Sequence, residues 1–516
     1  MKVSLLLRDR AFDWKKKVDE NVANCFNDFK MEVVLDSMAR DDKFIYNCCQ
    51  QVLMQGLTTE EDIYYRQELI KDSIYNQSLI RDIYKITEVA TEEVAMNNSY
   101  VLVNDFPSVV LDNSIAKLKG YMGKLCEIRD KLMERKMAFF AQGFRNLIRS
   151  IQMEITPEFV SQVEQMLEKL SHVENVSMNA TIGVGYKATN YTICNDGTST
   201  STTSSNTAGF GGNMKAKLFK SNQQQPNRVQ LDTTDTKAIS DLLDLKQRGL
   251  ESTADTLASV VDEINQFFLD LHKQLAFYCG CLNLYETLYD LDCRVQFPKP
   301  YSGSENRLEF RELYDVGLAL SQKKRVVGNT KDMNRKDLTI ITGANQGGKS
   351  TFLRSVGIGL IMFQAGMYVG AELFESSIYQ GIYTHFRKDE DMELNRGKLD
   401  DELKRFSQIV DSIQPNSILM CNESFSSTNE REGSDVAIPV LNAMLEYNVR
   451  VFFVTHFYTI PRYYQKSEFG EKTMILQAER NEDSTRSFKL VEKNLMETSY
   501  AIDLYNHIFE EDTKEE

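Results

Sequence analysis

The sequence predicts a multidomain protein: a long-helix α region with a small β and low-complexity insertion, followed by an α/β P-loop domain. Three observations carry this. Residues 1 to about 290 place apolar side chains at helical spacing, and the whole chain of 516 residues has only 8 prolines. A stretch rich in Ser, Thr, Asn and Gly interrupts those helices. Beyond about residue 300, short apolar runs alternate with helical ones around Gly343-Ala344-Asn345-Gln346-Gly347-Gly348-Lys349-Ser350, which fits G-x-x-x-x-G-K-[ST] at every constrained position.

In chain order, a helical core spans 1–110. Its capping box, Thr58-x-x-Glu61, opens the run Ile63 to Ile86, with Leu69, Ile70, Ile74, Ile80 and Ile83 on a helical period. An outgoing arm spans 111–175, where Ser114 to about Ile155 reads as one long helix without proline. A returning arm spans 237–298, with Ala238 to about Leu291 read as a third long helix through Leu250, Leu257, Ile264 and Phe268. Helices of roughly 40 to 50 residues run ~65 Å, too long for one compact ball, so the two arms are expected as an antiparallel pair reaching away from the body. Between them, in 176–236, Ile182-x-Val184-x-Tyr186-x-Ala188 alternates like a strand, and Asn195 to Gly212 reads as a flexible loop. No acid lies between Asp196 and Asp232, but Lys215, Lys217, Lys220 and Arg228 do. Such a tip either touches a polyanion or is a solvated loop. The α/β domain spans 299–516.

Composition bounds the partners. Net charge is −15, so a surface-wide nucleic-acid coat is excluded and any DNA contact must be local. Nine cysteines without CxxC pairs read as buried thiols rather than a metal cage. No apolar run approaches the length of a membrane span, and the N-terminal apolar run Val3 to Leu7 is too short for a signal peptide; a cytoplasmic protein without membrane partners is the expectation.

The α/β domain holds the chemistry. Leu338 to Ile341 is a buried-strand run before the glycine-rich segment, and Thr351 to Val356 a helical run after it. Backbone N–H groups of such a turn wrap the phosphates of ATP; Lys349 neutralises the β- and γ-oxygens and the Ser350 hydroxyl ligates Mg²⁺. Gly343 through Thr351 are therefore the nucleotide-binding residues. Ser417 to Cys421 is an apolar strand ending in Asn422-Glu423, in the manner of a Walker B strand. Asn422 stands at the metal position with a neutral carbonyl, and Glu423 is the general base or water-positioning group. A third strand, Val449 to Val454, ends in Thr455-His456, where His456 either senses the γ-phosphate or is a structural histidine.

Taken together these segments resemble the MutS family of DNA mismatch-repair ATPases. The family's TG-x-N-x-x-GKST is matched by Thr342 to Thr351, Q-x-G-x-x-V-P-A-E by Gln364 to Glu372 with Gly370 for proline, and V-P-N by Val327-Gly328-Asn329. DE-x-x-x-x-T-x-x-x-DG keeps its spacing as Asn422-Glu423, Thr428 and Glu432-Gly433; Ser499-Tyr500-Ala501-Ile502 is similar to S-Y-G-I, and Arg66-Gln67 to the R-Q of the lever. The resemblance implies an ABC/MutS-type ATPase domain, a lever, and a reduced clamp at the insertion. It places Asn329 against the base of ATP, Mg²⁺ on Ser350 and Asn422, and two copies paired through their ATPase domains. No segment resembles the family's N-terminal mismatch reader, so a short MutS-like protein is expected, with branched DNA standing equal to mismatched DNA as target. The partner-facing Ser of the family has as nearest match Gly397 to Glu402, which lacks it. Two functions follow: an ATP-gated clamp on double-stranded DNA, or a scaffold ATPase that assembles protein partners. A transporter ATPase fits less well, for want of an L-S-G-G-Q signature.

Overall fold

The computed structural model describes residues 2–98, 106–171, 178–182, 188–193, 236–343, 346–387, 398–480 and 486–492. They fall into two compact units, Met1–Arg10 with Lys71–Tyr278, and Ala11–Ile70 with Cys279–Glu516. The helical core expected over 1–110 is thus divided between the two.

The second unit opens with α1 (Glu20–Asp28), α2 (Met31–Ala39) and α3 (Lys43–Leu53). Asp19 and Asp42 cap α1 and α3 by accepting backbone N–H bonds. These helices belong with the α/β domain because their apolar faces pack there. Phe29 meets Phe386 edge-on at 5.8 Å. Gly357 leaves room for the same ring, since a Cβ there would come within 2.3 Å of Phe29 Cζ. Then comes α4 (Glu60–Tyr75). Its cap is Thr59, whose Oγ1 accepts from Asp62 N at 3.2 Å, one residue beyond the expected Thr58. Arg66 and Gln67 are buried, and they donate to Ala365 O and Pro298 O at 2.9 and 2.8 Å.

The expected run to Ile86 is broken at Asn76, after which α5 (Gln77–Asn98) continues. The second expected long helix is also broken. It is α6 (Pro107–Glu134) and α7 (Gln142–Glu154), followed by α8 (Pro157–Ser171). The physical reason is Asp72: its buried Oδ2 accepts from the backbone N–H groups of Phe140 and Ala141 at 2.8 and 2.6 Å, taking donors that a continuous helix would need. β1 (Met178–Ile182) and β2 (Ala188–Ile193) are antiparallel, with Ile182 opposite Ala188; the strand expected across Ile182 to Ala188 lies, except for these two end residues, outside the described residues. Residues 183–187 and 194–235, with Lys215, Lys217, Lys220 and Arg228, lie outside the described residues, as do Ser499 to Ile502. The third long run is one helix, α9 (Thr236–Asp290), of 55 residues.

The α/β part follows: β3 (Lys299–Tyr301), β4 (Leu308–Leu313), α10 (Val316–Gln322), β5 (Asn329–Asp332), β6 (Leu338–Thr342) and α11 (Lys349–Gln364). Next are β7 (Leu373–Ser377), β8 (Ile382–Phe386), α12 (Lys398–Ser412), β9 (Ile418–Asn422) and α13 (Glu430–Glu446). β10 (Arg450–Val454), α14 (Thr459–Lys466), β11 (Thr473–Arg480) and β12 (Arg486–Glu492) complete it. One sheet has the order β3-β7-β4-β5, the other β12-β11-β6-β10-β9-β8. In the six-stranded sheet β8, β9, β10, β6 and β11 run parallel. β6 and β10 are buried along their whole length, as parallel strands covered on both faces must be. Leu338, Ile340, Leu419, Val451 and Phe453 pack on one face with Phe406 of α12, Leu441 of α13 and Tyr464 of α14.

Candidate nucleotide site

Strand register brings the sequence-predicted residues to one edge. Val454 at the end of β10 stands opposite Ile341 of β6 and Asn422 of β9, so the segments after these three neighbouring strands leave the sheet at one level. From β6 the chain turns through Gly343 at φ +120° and Gly348 at φ +91°. A Cβ at Gly343 would sit 3.0 Å from Ala478 N, a backbone atom, so both conformation and space require glycine there. α11 then begins at Lys349, and the N–H groups of its first turn have no intrahelical acceptor. Ala344 and Asn345 lie outside the described residues.

A cavity of about 590 Å³ opens here. Asn329, Gln346, Gly348, Lys349, Ser350, Thr351 and Glu423 of the predicted set line it. Lys349 Nζ donates to Gly343 O at 2.8 Å; burial holds its pKa below the ordinary lysine value, against the opposing pull of Glu423. An anion in the cavity would offset that desolvation by charge pairing. Ser350 Oγ donates to Asn422 Oδ1 at 3.1 Å, so the two candidate metal ligands are neighbours. Two neutral oxygens fit Mg²⁺, which takes few protein ligands and keeps waters and substrate phosphates. Among the described residues no cluster of three or more His, Cys, Asp or Glu competes for a metal. Asn422→Asp, which keeps the acceptor for Ser350 and adds a charge, is expected to lower the Mg²⁺ concentration needed for half-maximal nucleotide binding roughly tenfold. An unchanged Mg²⁺ dependence in a fluorescent-nucleotide titration would show that Asn422 does not face the metal.

Glu423 adopts φ +56°, costly for a residue with a side chain, and its N–H is anchored on Val454 O at 3.0 Å. His456 Nε2 lies 2.8 Å from Glu423 Oε1, and Arg387 Nη1 4.0 Å from Oε2. The His456 hydrogen bond, above the weaker pulls of Lys349 and Arg387, holds the Glu423 carboxyl below the ordinary range despite partial burial. Gly347 is buried in the turn. Asn329 is engaged with β12: its Oδ1 accepts from Leu490 N at 2.8 Å and its Nδ2 donates to Phe488 O at 3.5 Å.

Several lining residues escaped the sequence. Phe488, 159 positions from Asn329 and half exposed at φ +57°, forms part of the wall through tertiary placement alone. Asp315 did leave a signal, as the cap of α10 accepting Leu318 N at 2.9 Å; it also pairs with Arg354 of α11 at 2.9 Å. Outside the cavity lining, His385 is buried, with Nδ1 2.7 Å from Ser424 Oγ and Nε2 3.2 Å from Glu402 O. Burial, helped by Arg405, pushes its pKa down to about 4. Because the unfolded histidine titrates near 6.5, its contribution is fully present above that pH and is lost as pH falls toward 4. Stability in urea is expected to drop by about 2 kcal/mol from this group between pH 7.5 and 5, at 1.36 kcal/mol per unit. His385→Gln should lose that part of the slope; an unchanged slope would mean that His385 is charged in the fold.

Sheet, turn and cavity define an α/β domain with its site at the carboxyl edge of a parallel sheet, joined to a helical unit. The chain belongs to the MutS family. The MutS2 N-terminal domain model matches residues 58–291, and the MutS domain V model matches residues 339–509. MutS protein homolog 4 of Homo sapiens is 32% identical over 227 residues, 42% of this chain and 24% of that protein. The DNA mismatch repair protein MutS of Thermus aquaticus is 27% identical over 179 residues, 35% of this chain and 22% of the relative. Endonuclease MutS2 of Aquifex aeolicus is 25% identical over 242 residues, 46% and 30%. The chain spans about a quarter of the length of these relatives. Among the described residues no helix is long and apolar enough to cross a membrane.

Proposed function

We propose that this chain is a Mg²⁺-dependent ATPase of the MutS type that binds double-stranded DNA, mismatched or branched, in DNA repair or recombination control. The observation that carries the reading is the meeting at one cavity of Lys349, Ser350 and Glu423, the last two hydrogen-bonded to Asn422 and His456. The names of the relatives, a DNA mismatch repair protein and an endonuclease among them, support the DNA part. In this reading Lys349 neutralises the γ-phosphate, the turn from Gly343 to Gly348 wraps the phosphates, and Glu423 orients the attacking water while His456 fixes its carboxylate. Ser350 and Asn422 would hold Mg²⁺, which would supply charge neutralisation to the triphosphate. Lys215, Lys217, Lys220 and Arg228 serve as phosphate contacts, and two copies pair through their ATPase domains. ATP binding then shifts a population of open and closed clamps. The protein acts in the cytoplasm.

DNA binding by the full chain, measured against salt with paired, mismatched and four-way-junction duplexes and with or without ATP, tests this. A steep loss of affinity with salt that ATP modulates is expected. ATP turnover with no DNA affinity at any salt would favour a scaffold ATPase, the reading that a net charge of −15 supports.

A further inference from the structure

One surface of the first unit departs from the charge of the rest. From Arg135 to Met153 there is no acidic residue, in a chain of net charge −15, while Arg135, Lys136, Arg145 and Arg149 are all exposed. Glu134 and Glu154 bound this window at either end. The outer face of α7 is Gln142, Arg145, Asn146, Arg149, Gln152 and Met153, and Phe144, Leu147, Ile148 and Ile151 form its buried face. Among the described residues none of the four basic side chains has an ion-pair partner, whereas Lys131 just upstream is paired with Asp82 at 3.0 Å. Arg145 and Arg149 stand one turn apart, about 6 Å along the axis, with amide side chains on either side.

The turn leading into this helix adds a second, independent feature. Met137 is 84% exposed and Phe140 75%, with Tyr75 at 82%. These apolar groups stand on a pinned backbone. Asp72 holds the N–H groups of Phe140 and Ala141, and Asn76 Nδ2 donates to Asp72 O at 2.9 Å and to Ala138 O at 3.2 Å. A buried carboxylate and a buried amide are thus committed to a turn that presents Met137 and Phe140 to solvent. Exposed apolar clusters held in one conformation mark contact surfaces. Cations and amides on a helix face, beside apolar groups on a rigid corner, are the combination that grips a phosphate backbone and leans on an unstacked base step.

We propose that the exposed face of α7 and the Arg135–Phe140 turn form a second DNA contact, separate from the insertion between the arms. Arg135, Lys136, Arg145 and Arg149 bind phosphates of a duplex, and Met137 and Phe140 contact bases where stacking is interrupted. This rests on the DNA-binding reading above. The chemistry fits a polyanion with exposed base edges better than an acidic protein, because the face is amide- and Arg-rich with a pinned aromatic at its end.

The test uses the full chain, a paired 40-bp duplex and a four-way junction, with Kd followed from low to moderate salt. Replacing Arg135, Lys136, Arg145 and Arg149 together by alanine is expected to flatten the slope of log affinity against log salt by up to ~3.6, at ~0.9 per phosphate contact. ATP turnover without DNA and the far-UV helix signal should match the parent. If that variant fails to fold, Arg145→Gln with Arg149→Gln should give up to ~1.8 of the change. Phe140→Ser should weaken junction binding at least about 5-fold relative to the paired duplex, the low end of a base–aromatic stack, and leave the slope alone. Parental slope and affinity in the cation variants would overturn this surface while the DNA-binding reading stands. A parent chain that binds neither duplex would overturn both. Loss of competition by polyglutamate with an unaltered DNA slope would assign the face to acidic proteins and overturn the proposal.

Discussion

Lys349→Ala is expected to weaken ATP binding severely, raising Kd by about 10²- to 10³-fold, the cost of taking one charge from a buried pair. Lys349 lies almost wholly out of solvent, donates to Gly343 O at 2.8 Å, and is held below the ordinary lysine pKa by burial. A cation in that position is destabilised until an anion arrives, and the triphosphate supplies it. Without the cation, the triphosphate enters a cavity lined by the Glu423 carboxylate, which repels it. Because the side chain spans the turn from the first residue of α11 back to Gly343, the substitution also loosens the loop that wraps the phosphates. Calorimetric titration with ATP decides: parental affinity in Lys349→Ala would mean that the backbone N–H groups and helix terminus carry the binding alone. Lys349→Arg distinguishes charge from fit. It keeps the charge but brings a planar fork to a place built for a point donor, and recovery of no more than part of the affinity is expected.

What the sequence made legible is the part whose cause is local. β6, β9 and β10 are apolar runs because both faces of a parallel sheet are covered, and that leaves a continuous signal. Gly343 and Gly348 are glycine because their φ values exclude other residues, so the motif could be read before its geometry was seen. What stayed hidden has its cause elsewhere in the chain. Nothing within Ser114 to Ile155 announces a break at 135–141, because the acceptor that takes those N–H groups is Asp72. Residues 11–70 pair with the α/β domain rather than the other helices because Phe29 fits over Gly357, a complementarity across more than 300 positions. The cap of α4 was missed by one residue because Thr58 and Thr59 offer the same hydroxyl. In the site, Phe488 and Arg387 arrive through tertiary placement, and no pattern in the sequence marks either.

Glu423→Gln is expected to keep ATP binding and to slow hydrolysis by ~10² or more, the usual loss for a positioned acid–base group. The substitution is well matched to the fold. The Glu423 carboxylate accepts from His456 Nε2 at 2.8 Å, and an amide oxygen can accept the same bond, so the turn at φ +56° and its anchor on Val454 O are preserved. What disappears is the negative charge. Its effect on nucleotide affinity should be neutral or favourable, since a carboxylate lining the cavity repels an anion bound there. The depressed pKa also limits what Glu423 does in the reaction. The His456 bond, with Lys349 and Arg387 behind it, keeps the carboxyl ionised below the ordinary carboxylate range, so it is a weak base at neutral pH. Its role is then to orient water and to stabilise charge developing on it, with the proton passing onward to the phosphate or solvent. The sign for pH follows: the group is competent at every pH above its own lowered value, and turnover should show no acid limb from Glu423 between pH 6 and 8. Single-turnover hydrolysis across that range in the parent and in Glu423→Gln measures both statements. A parental rate in the variant would return Glu423 to a structural role at the edge of β9. A limb near neutral pH that vanishes with the substitution would instead make it a proton acceptor whose pKa rises once ATP fills the cavity.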